Sequence, residues 1–124
     1  MQKLSKVFLA VAALVLATAV LTGCAQAQAV DVKSAAAVID VRTPDEYSMG
    51  HLKGAINIDV ENPGFNTQIL TLDKSKNYIV YCHSGRRAGI AISTMQSIGF
   101  TGTLTNAGGI DEATGSTGLP IVTN

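Results

Sequence analysis

Hydrophobic and polar positions fall into short blocks along the chain, and each block has the period of one element. After an uncharged apolar run, Val7 to Leu21, and a polar, alanine-rich stretch from Gln26 to about Lys33, the block Ala36 to Val41 predicts a strand with Asp40 and Arg42 flanking its end. Pro44 with Asp45 and Glu46 predicts the first turn of a short helix. Proline needs no N–H there, carboxylates suit the positive end of the dipole, and Gly50 ends the helix. Ala55 to Asp59 is a second strand, Asn62-Pro63-Gly64 a loop, and Phe65 to Leu72 a short helix burying Phe65, Ile69 and Leu72. A charged turn, Asp73 to Asn77, leads into Tyr78-Ile79-Val80-Tyr81-Cys82, whose β-branched and aromatic residues suit a buried parallel strand. Ala88 to Phe100 then carries Ala88, Ala91, Ile92, Met95 and Ile98 at helical spacing, with Gly99 as C-cap. Thr103-Leu104-Thr105 predicts a short strand, Thr114 to Thr117 a loop, and Leu119-Pro120-Ile121 a final apolar anchor. Strands alternating with helical segments imply one α/β domain, with a mainly parallel sheet and helices on both faces.

The first block is a targeting segment rather than part of that domain. Lys3 and Lys6 precede an apolar run too short for a comfortable transmembrane helix. The run ends in Leu21-Thr22-Gly23-Cys24, which resembles the lipobox of bacterial lipoproteins. That resemblance implies removal of residues 1–23 and a thioether-linked lipid on Cys24, with 24–35 as tether and 36–124 as the domain. The alternative is an ordinary signal peptide cut after Ala25 or Ala27; either reading exports the protein, to the cell membrane or the periplasm and envelope.

Removing the segment changes the composition. About 100 residues remain, enough for one compact domain. Seven basic residues then face nine acidic ones, and no basic stripe points to nucleic acid. With Cys24 carrying lipid, Cys82 is the one free thiol, so an intramolecular disulfide is not expected even in an oxidising compartment. A reduced cysteine kept outside the cytoplasm calls for a purpose, and catalysis supplies one.

Cys82 stands at the carboxyl end of its strand, where open α/β sheets place their ligands. The helix that follows starts with unpartnered N–H groups and the positive end of a dipole. If the N–H groups of residues 83 to 87 converge on the sulfur, they form a nest for negative charge, and Arg86 and Arg87 add two fixed cations. These influences favour a thiolate and hence a nucleophile. The competing reading is an inert core cysteine. His51, in the two-glycine turn Gly50 to Gly54, reads as a backbone hydrogen-bonding residue, and no histidine or carboxylate spacing suggests a metal site. Arg42 and Glu46 are expected to pair and brace the strand-to-helix corner.

Cys82-His83-Ser84-Gly85-Arg86-Arg87 resembles the active loop of the single-domain rhodanese sulfurtransferases, cysteine-x-x-glycine-x-arginine. Ile39 to Tyr47 and Gly50 to Ile58 are similar to the family's upstream signatures, and Asn106-Ala107-Gly108-Gly109-Ile110 to its double-glycine segment. Where relatives commonly carry a tryptophan a few residues later, this chain has none, with Ala113 near that place. The resemblance runs from about residue 36 to 121 and implies a rhodanese-like fold of about five strands. It also implies ping-pong sulfur transfer through a Cys82 persulfide, with no other cofactor. The partners implied are a small donor such as thiosulfate and a thiophilic acceptor: cyanide, a thiol or a protein cysteine. Arg86 would hold the donor's sulfonate and Arg87 would shape the loop. His83, Ser84, Gly85 and Ala88 complete the substrate-binding rim, mainly through backbone, while Asp40, Arg42, Glu46 and His51 support it. The membrane is reached through Cys24, and a monomer is expected. Cysteine-loop phosphatases and arsenate reductases are a minor alternative, because their loops place five residues between cysteine and arginine where Cys82 and Arg87 enclose four. A persulfide carrier or binding module without rapid turnover is the rival from another class.

Overall fold

Alternation within two strands decides which residues meet on each side of the sheet. The computed structural model describes residues 28–124, so the lipobox, Cys24 and the start of the expected tether lie outside the described residues. In chain order the elements are a 3-10 turn at Val32–Ser34, β1 (Ala37–Asp40), α1 (Pro44–Met49), β2 (His51–Leu52), β3 (Ile56–Asn57), α2 (Phe65–Ile69), β4 (Tyr78–Cys82), α3 (Arg86–Ser97), β5 (Leu104–Gly109), α4 (Ile110–Thr117) and β6 (Ile121–Val122). The main sheet has the order β3-β1-β4-β5 with every neighbouring pair parallel. On one face Ile39 of β1 and Tyr78, Val80 and Cys82 of β4 pack against Phe65, Ile69, Ala88, Ala91 and Met95 of α2 and α3. On the other, Val38, Ile79 and Tyr81 meet Leu52, Ala55, Ala107 and Ala113. A strand covered on both faces cannot alternate between apolar and polar, which is why β4 reads as a continuous apolar run.

Among the described residues the parallel sheet has four strands rather than about five. The apolar anchor at the C-terminus does not extend that sheet. Instead β6 pairs antiparallel with β2, Leu52 opposite Ile121, in a separate two-stranded sheet. The segment Thr114 to Thr117, expected as loop, is the second half of α4. Its polar side chains bond back along the helix: Thr114 Oγ1 donates to Ile110 O (2.8 Å) and Thr117 Oγ1 to Ala113 O (2.6 Å). Ala113 is fully buried, the point at which α4 rests on the core. The expected tether is also shorter than its limits of 24–35. From Val30 the chain lies on the domain, Val30 N donating to Ser116 O (2.9 Å), with Val30, Val32 and Ala35 against the second cluster.

At the end of β1 a charged network is sealed inside. Asp40 is 0% exposed and receives Arg42 Nη2 (2.7 Å), Arg42 Nε (3.0 Å) and Tyr81 Oη (2.7 Å) on its carboxylate. Tyr81 Oη in turn accepts Leu52 N (3.0 Å), and Arg42 Nη2 donates to Gly50 O (2.6 Å). Arg42 therefore pairs with Asp40 and not with Glu46 as expected: two residues apart at the strand's end, the carboxylate is the nearer buried charge and needs a partner more. Burial works against the Arg42 charge, yet its bond and attraction to Asp40 leave it held more firmly than usual. Burial, joined by the bond to Asp40, pushes the Tyr81 phenol up. Removing one partner of such a cluster strands the others without water. Arg42→Met is expected to destabilise the domain by about 3–5 kcal/mol, and Tyr81→Phe by about 1–3 kcal/mol; urea titrations that show either change within 0.5 kcal/mol of wild type, by the usual surface scale, would sink this account of the network.

Candidate active site at the end of the central strand

Cys82 ends β4 at a break in register: Val80 pairs with Asn106 but Cys82 with Gly109, a bulge that turns the strand toward the next loop. The loop His83-Ser84-Gly85 is short because Gly85 takes φ +93°, a left-handed conformation that glycine adopts freely. Its neighbour across the loop is Gly108, whose Cα would lie 3.2 Å from a Cβ on Gly85. A Cβ on Gly109 would land on the His83 carbonyl oxygen. The double glycine is thus what allows the β5–α4 junction to close against the cysteine loop.

The expected convergence of amides 83 to 87 is realised by one bond. Gly85 N donates to Cys82 Sγ at 2.9 Å, and it is the backbone donor in hydrogen-bonding geometry with that sulfur among the described residues. Cys82 itself is 0% exposed and continuous with the core cluster. Around it His83, Ser84 and Arg86 are exposed, Gly85 and Arg87 half-buried, and Ala88 buried.

The two arginines have separate fates. Arg87 makes a bidentate pair with Glu46, Nη1 to Oε2 and Nη2 to Oε1 both at 2.8 Å, and reaches Glu61 at 3.4 Å. Glu46 also receives Thr43 N and Thr43 Oγ1, each at 3.0 Å, while its own N–H donates to Thr43 Oγ1 at 3.3 Å. This is a capping box at the start of α1. The Arg87 guanidinium, helped by the Thr43 bonds and opposed by partial burial, pulls the Glu46 carboxyl down to about 2. In return the Glu46 bond raises Arg87, to which the neighbouring Cys82 adds a smaller contribution. Arg86 is exposed and forms no ion pair among the described residues, so its charge stays available.

Of the expected supporting residues, Glu46 touches the loop's arginine directly. Asp40 and Arg42 act one layer below, through Tyr81, the residue before Cys82. His51 lies in β2 rather than in a turn, 3.7 Å above the Tyr47 ring, with Nδ1 3.0 Å from Tyr47 O, and among the described residues it makes no hydrogen bond to the loop. Thr43, Glu61 and Tyr81 were not anticipated. The Thr43-Pro44-Asp45-Glu46 spacing signals the capping box, whereas nothing in sequence joins Glu61 to Arg87. Among the described residues no group of three His, Cys, Asp or Glu side chains could hold a metal ion. A cleft of about 880 Å³ beside β5 reaches Ser84 and Gly85; its walls carry Asp31 and Glu112 but no lysine or arginine.

The Glu46–Arg87 pair gives a pH dependence of definite sign. The folded-state value lies below the ordinary one, so the stabilisation is complete above about pH 4.5 and is lost as pH falls through about 2. Wild type is therefore expected to lose about 1–2 kcal/mol more stability than Glu46→Gln between those limits, discounted for the pair's partial exposure. Parallel urea curves for the two proteins across that range would contradict it.

The comparisons with known proteins agree with this geometry. A model of the rhodanese-like domain matches residues 25–115. The chain is 36% identical over 74 residues to thiosulfate sulfurtransferase PspE of Escherichia coli (strain K12), covering 60% of this chain and 70% of that one. It is 39% identical over 92 residues to thiosulfate sulfurtransferase 16, chloroplastic, of Arabidopsis thaliana, covering 66% and 76%. Among solved structures, a rhodanese with anions from E. coli superposes with a TM-score of 0.57 at 33% identity, over 71% of this chain and 98% of the other. Matched through most of its length and alike in fold, the chain belongs to the rhodanese-like domain family.

Proposed function

We propose that the protein is a sulfurtransferase that passes a sulfane sulfur from thiosulfate, or a similar anionic donor, to a thiophilic acceptor through a persulfide on Cys82. The observation that carries this reading is the Gly85 N–H aimed at Cys82 Sγ, followed in the chain by an exposed Arg86 that forms no ion pair among the described residues. The Cys82 thiolate attacks the outer sulfur of thiosulfate. A Cys82 S–S bond forms, the donor's S–S bond breaks, and its electron pair leaves with sulfite. The product is a persulfide anion of the same charge as the thiolate. Cyanide or a thiolate acceptor then takes the terminal sulfur, as thiocyanate or a new persulfide, and returns the Cys82 thiolate.

Each charged species needs a donor. Gly85 N–H stabilises charge on the sulfur in the manner of an oxyanion hole. Arg86 is suited to the sulfonate because it is exposed and pairs with no carboxylate among the described residues, while Arg87 is committed to Glu46. The cleft beside β5 has carboxylates and no cation, so a doubly negative donor is drawn to the Arg86 side.

Complete burial of Cys82 favours a second reading, a persulfide carrier that turns over slowly. Under either reading the exposed His83–Arg86 loop has to open for the donor's sulfur to enter. The Leu21-Thr22-Gly23-Cys24 sequence supports export and anchoring through lipid on Cys24.

Incubation with thiosulfate is expected to release sulfite and add about 32 Da to the Cys82 peptide, one sulfur atom. Cys82→Ser loses both signals, and Arg86→Ala raises KM for thiosulfate about tenfold with kcat little changed, the loss of one charged contact. A stable adduct with negligible thiosulfate:cyanide turnover selects the carrier, and the absence of any adduct removes both readings. In a bacterial host, labelled palmitate is expected on the full chain and not on Cys24→Ala; equal labelling of the two would overturn the anchor.

A further inference from the structure

Gly85 holds the sulfur, and a residue on the neighbouring strand holds Gly85. Asn106, in the middle of β5, turns its side-chain amide across the gap to the cysteine loop. Its Nδ2 donates to Gly85 O at 3.0 Å and its Oδ1 accepts Gly108 N at 2.9 Å. Both partners are main-chain groups of fixed polarity, so only one orientation of the amide satisfies them. Gly85 O also accepts the Gly89 N–H at 3.1 Å, the first bond of α3.

The consequence lies in what Gly85 lacks. Having no Cβ, it has no side-chain packing to hold the Ser84–Gly85 peptide plane, which carries the N–H on Cys82 Sγ and turns relative to α3 through the Gly85 φ. Its carbonyl, pinned between the helix and Asn106, supplies that restraint. The same side chain ties the double-glycine junction to the loop, since Gly108 is the residue against which Gly85 closes.

We infer that Asn106 is a positioning residue for the Cys82 loop: acting through Gly85, it keeps the loop amide on the sulfur and so sustains both the thiolate and the persulfide. The inference deepens the sulfurtransferase reading and rests on it for the persulfide, but not for the thiolate. Asn106 is exposed and contributes no apolar contact to either core cluster, so its loss leaves the fold's packing in place.

The test is the rate of Cys82 alkylation by iodoacetamide, a neutral probe, followed from pH 5 to 9 beside sulfite release in a single turnover. The charges near the sulfur are Arg87 with Glu46 and Glu61, the exposed His83 and Arg86, and Glu112 over Gly108; Asn106→Ala alters none of them. In that variant the alkylation profile is expected to move to higher pH, the rate at pH 7 relative to each protein's own high-pH plateau, which divides out access to the buried sulfur, falling about 3- to 10-fold, the loss of one hydrogen-bond restraint. Sulfite release slows in parallel, and KM for thiosulfate changes little because Arg86 is intact. Asn106→Asp keeps the acceptor for Gly108 N–H but sets an oxygen against Gly85 O, so its displacement is larger. Thr105→Ala, on the same strand, keeps the wild-type profile. If the Asn106→Ala profile coincides with wild type, the inference is overturned, whatever happens to the melting temperature. A wild type that releases no sulfite defeats the sulfurtransferase reading instead, and the alkylation profiles still decide the role of Asn106.

Discussion

A carboxylate cut off from water sits where the strands of this domain leave the core, and much of the site's geometry follows from satisfying it. Asp40 takes donors from Arg42 and Tyr81, and those two reach on to Gly50 O and Leu52 N. A charge buried without partners would be prohibitive, so the end of β1, the penultimate residue of β4 and the α1–β2 corner are obliged to come together. The cluster is a geometric constraint more than a source of stability, since a well-packed apolar substitute could be as stable.

From that corner the restraint passes to the cysteine loop by two routes. Along the first, α1 is fixed by its capping box, its Glu46 clamps Arg87, and Arg87 fixes the start of α3 one residue after Arg86. Along the second, Tyr81 anchors the strand immediately before Cys82, on the face opposite to the sulfur. Between them the loop has little freedom except at Gly85, whose N–H meets the sulfur. Two adjacent arginines meet different surroundings because successive residues of a helix point about 100° apart. One faces the carboxylates of α1 and the following loop, and the other faces solvent.

The order of these interactions also explains why the sulfur is sealed. Cys82 shares its face of β4 with Tyr78 and Val80, and all three pack beneath α2 and α3. A thiol in that setting is shielded from water, and among the described residues the one hydrogen bond made to it comes from the loop above. Shielding and a directed amide together keep the sulfur from bulk water while offering it one donor.

Sequence by itself determined what depends on neighbours along the chain. The strand–loop–helix pattern around Cys82, the Pro44 helix start, its stop at Gly50 and the α/β alternation are local in origin, and residue type and period encode them. Tertiary structure decided whatever depends on which distant groups compete for one another. Arg42 took Asp40 and left Glu46 to Arg87, 41 residues away. The last apolar residues joined β2, 69 to 71 residues back, instead of widening the sheet, and a polar threonine-rich stretch became helix because it continues a helix whose Ala113 is buried against the core, its hydroxyls turning back onto the helix carbonyls. That five amides would be reduced to one on the sulfur was likewise undecidable from spacing, because the aim of an N–H is set by dihedral angles that a glycine leaves open.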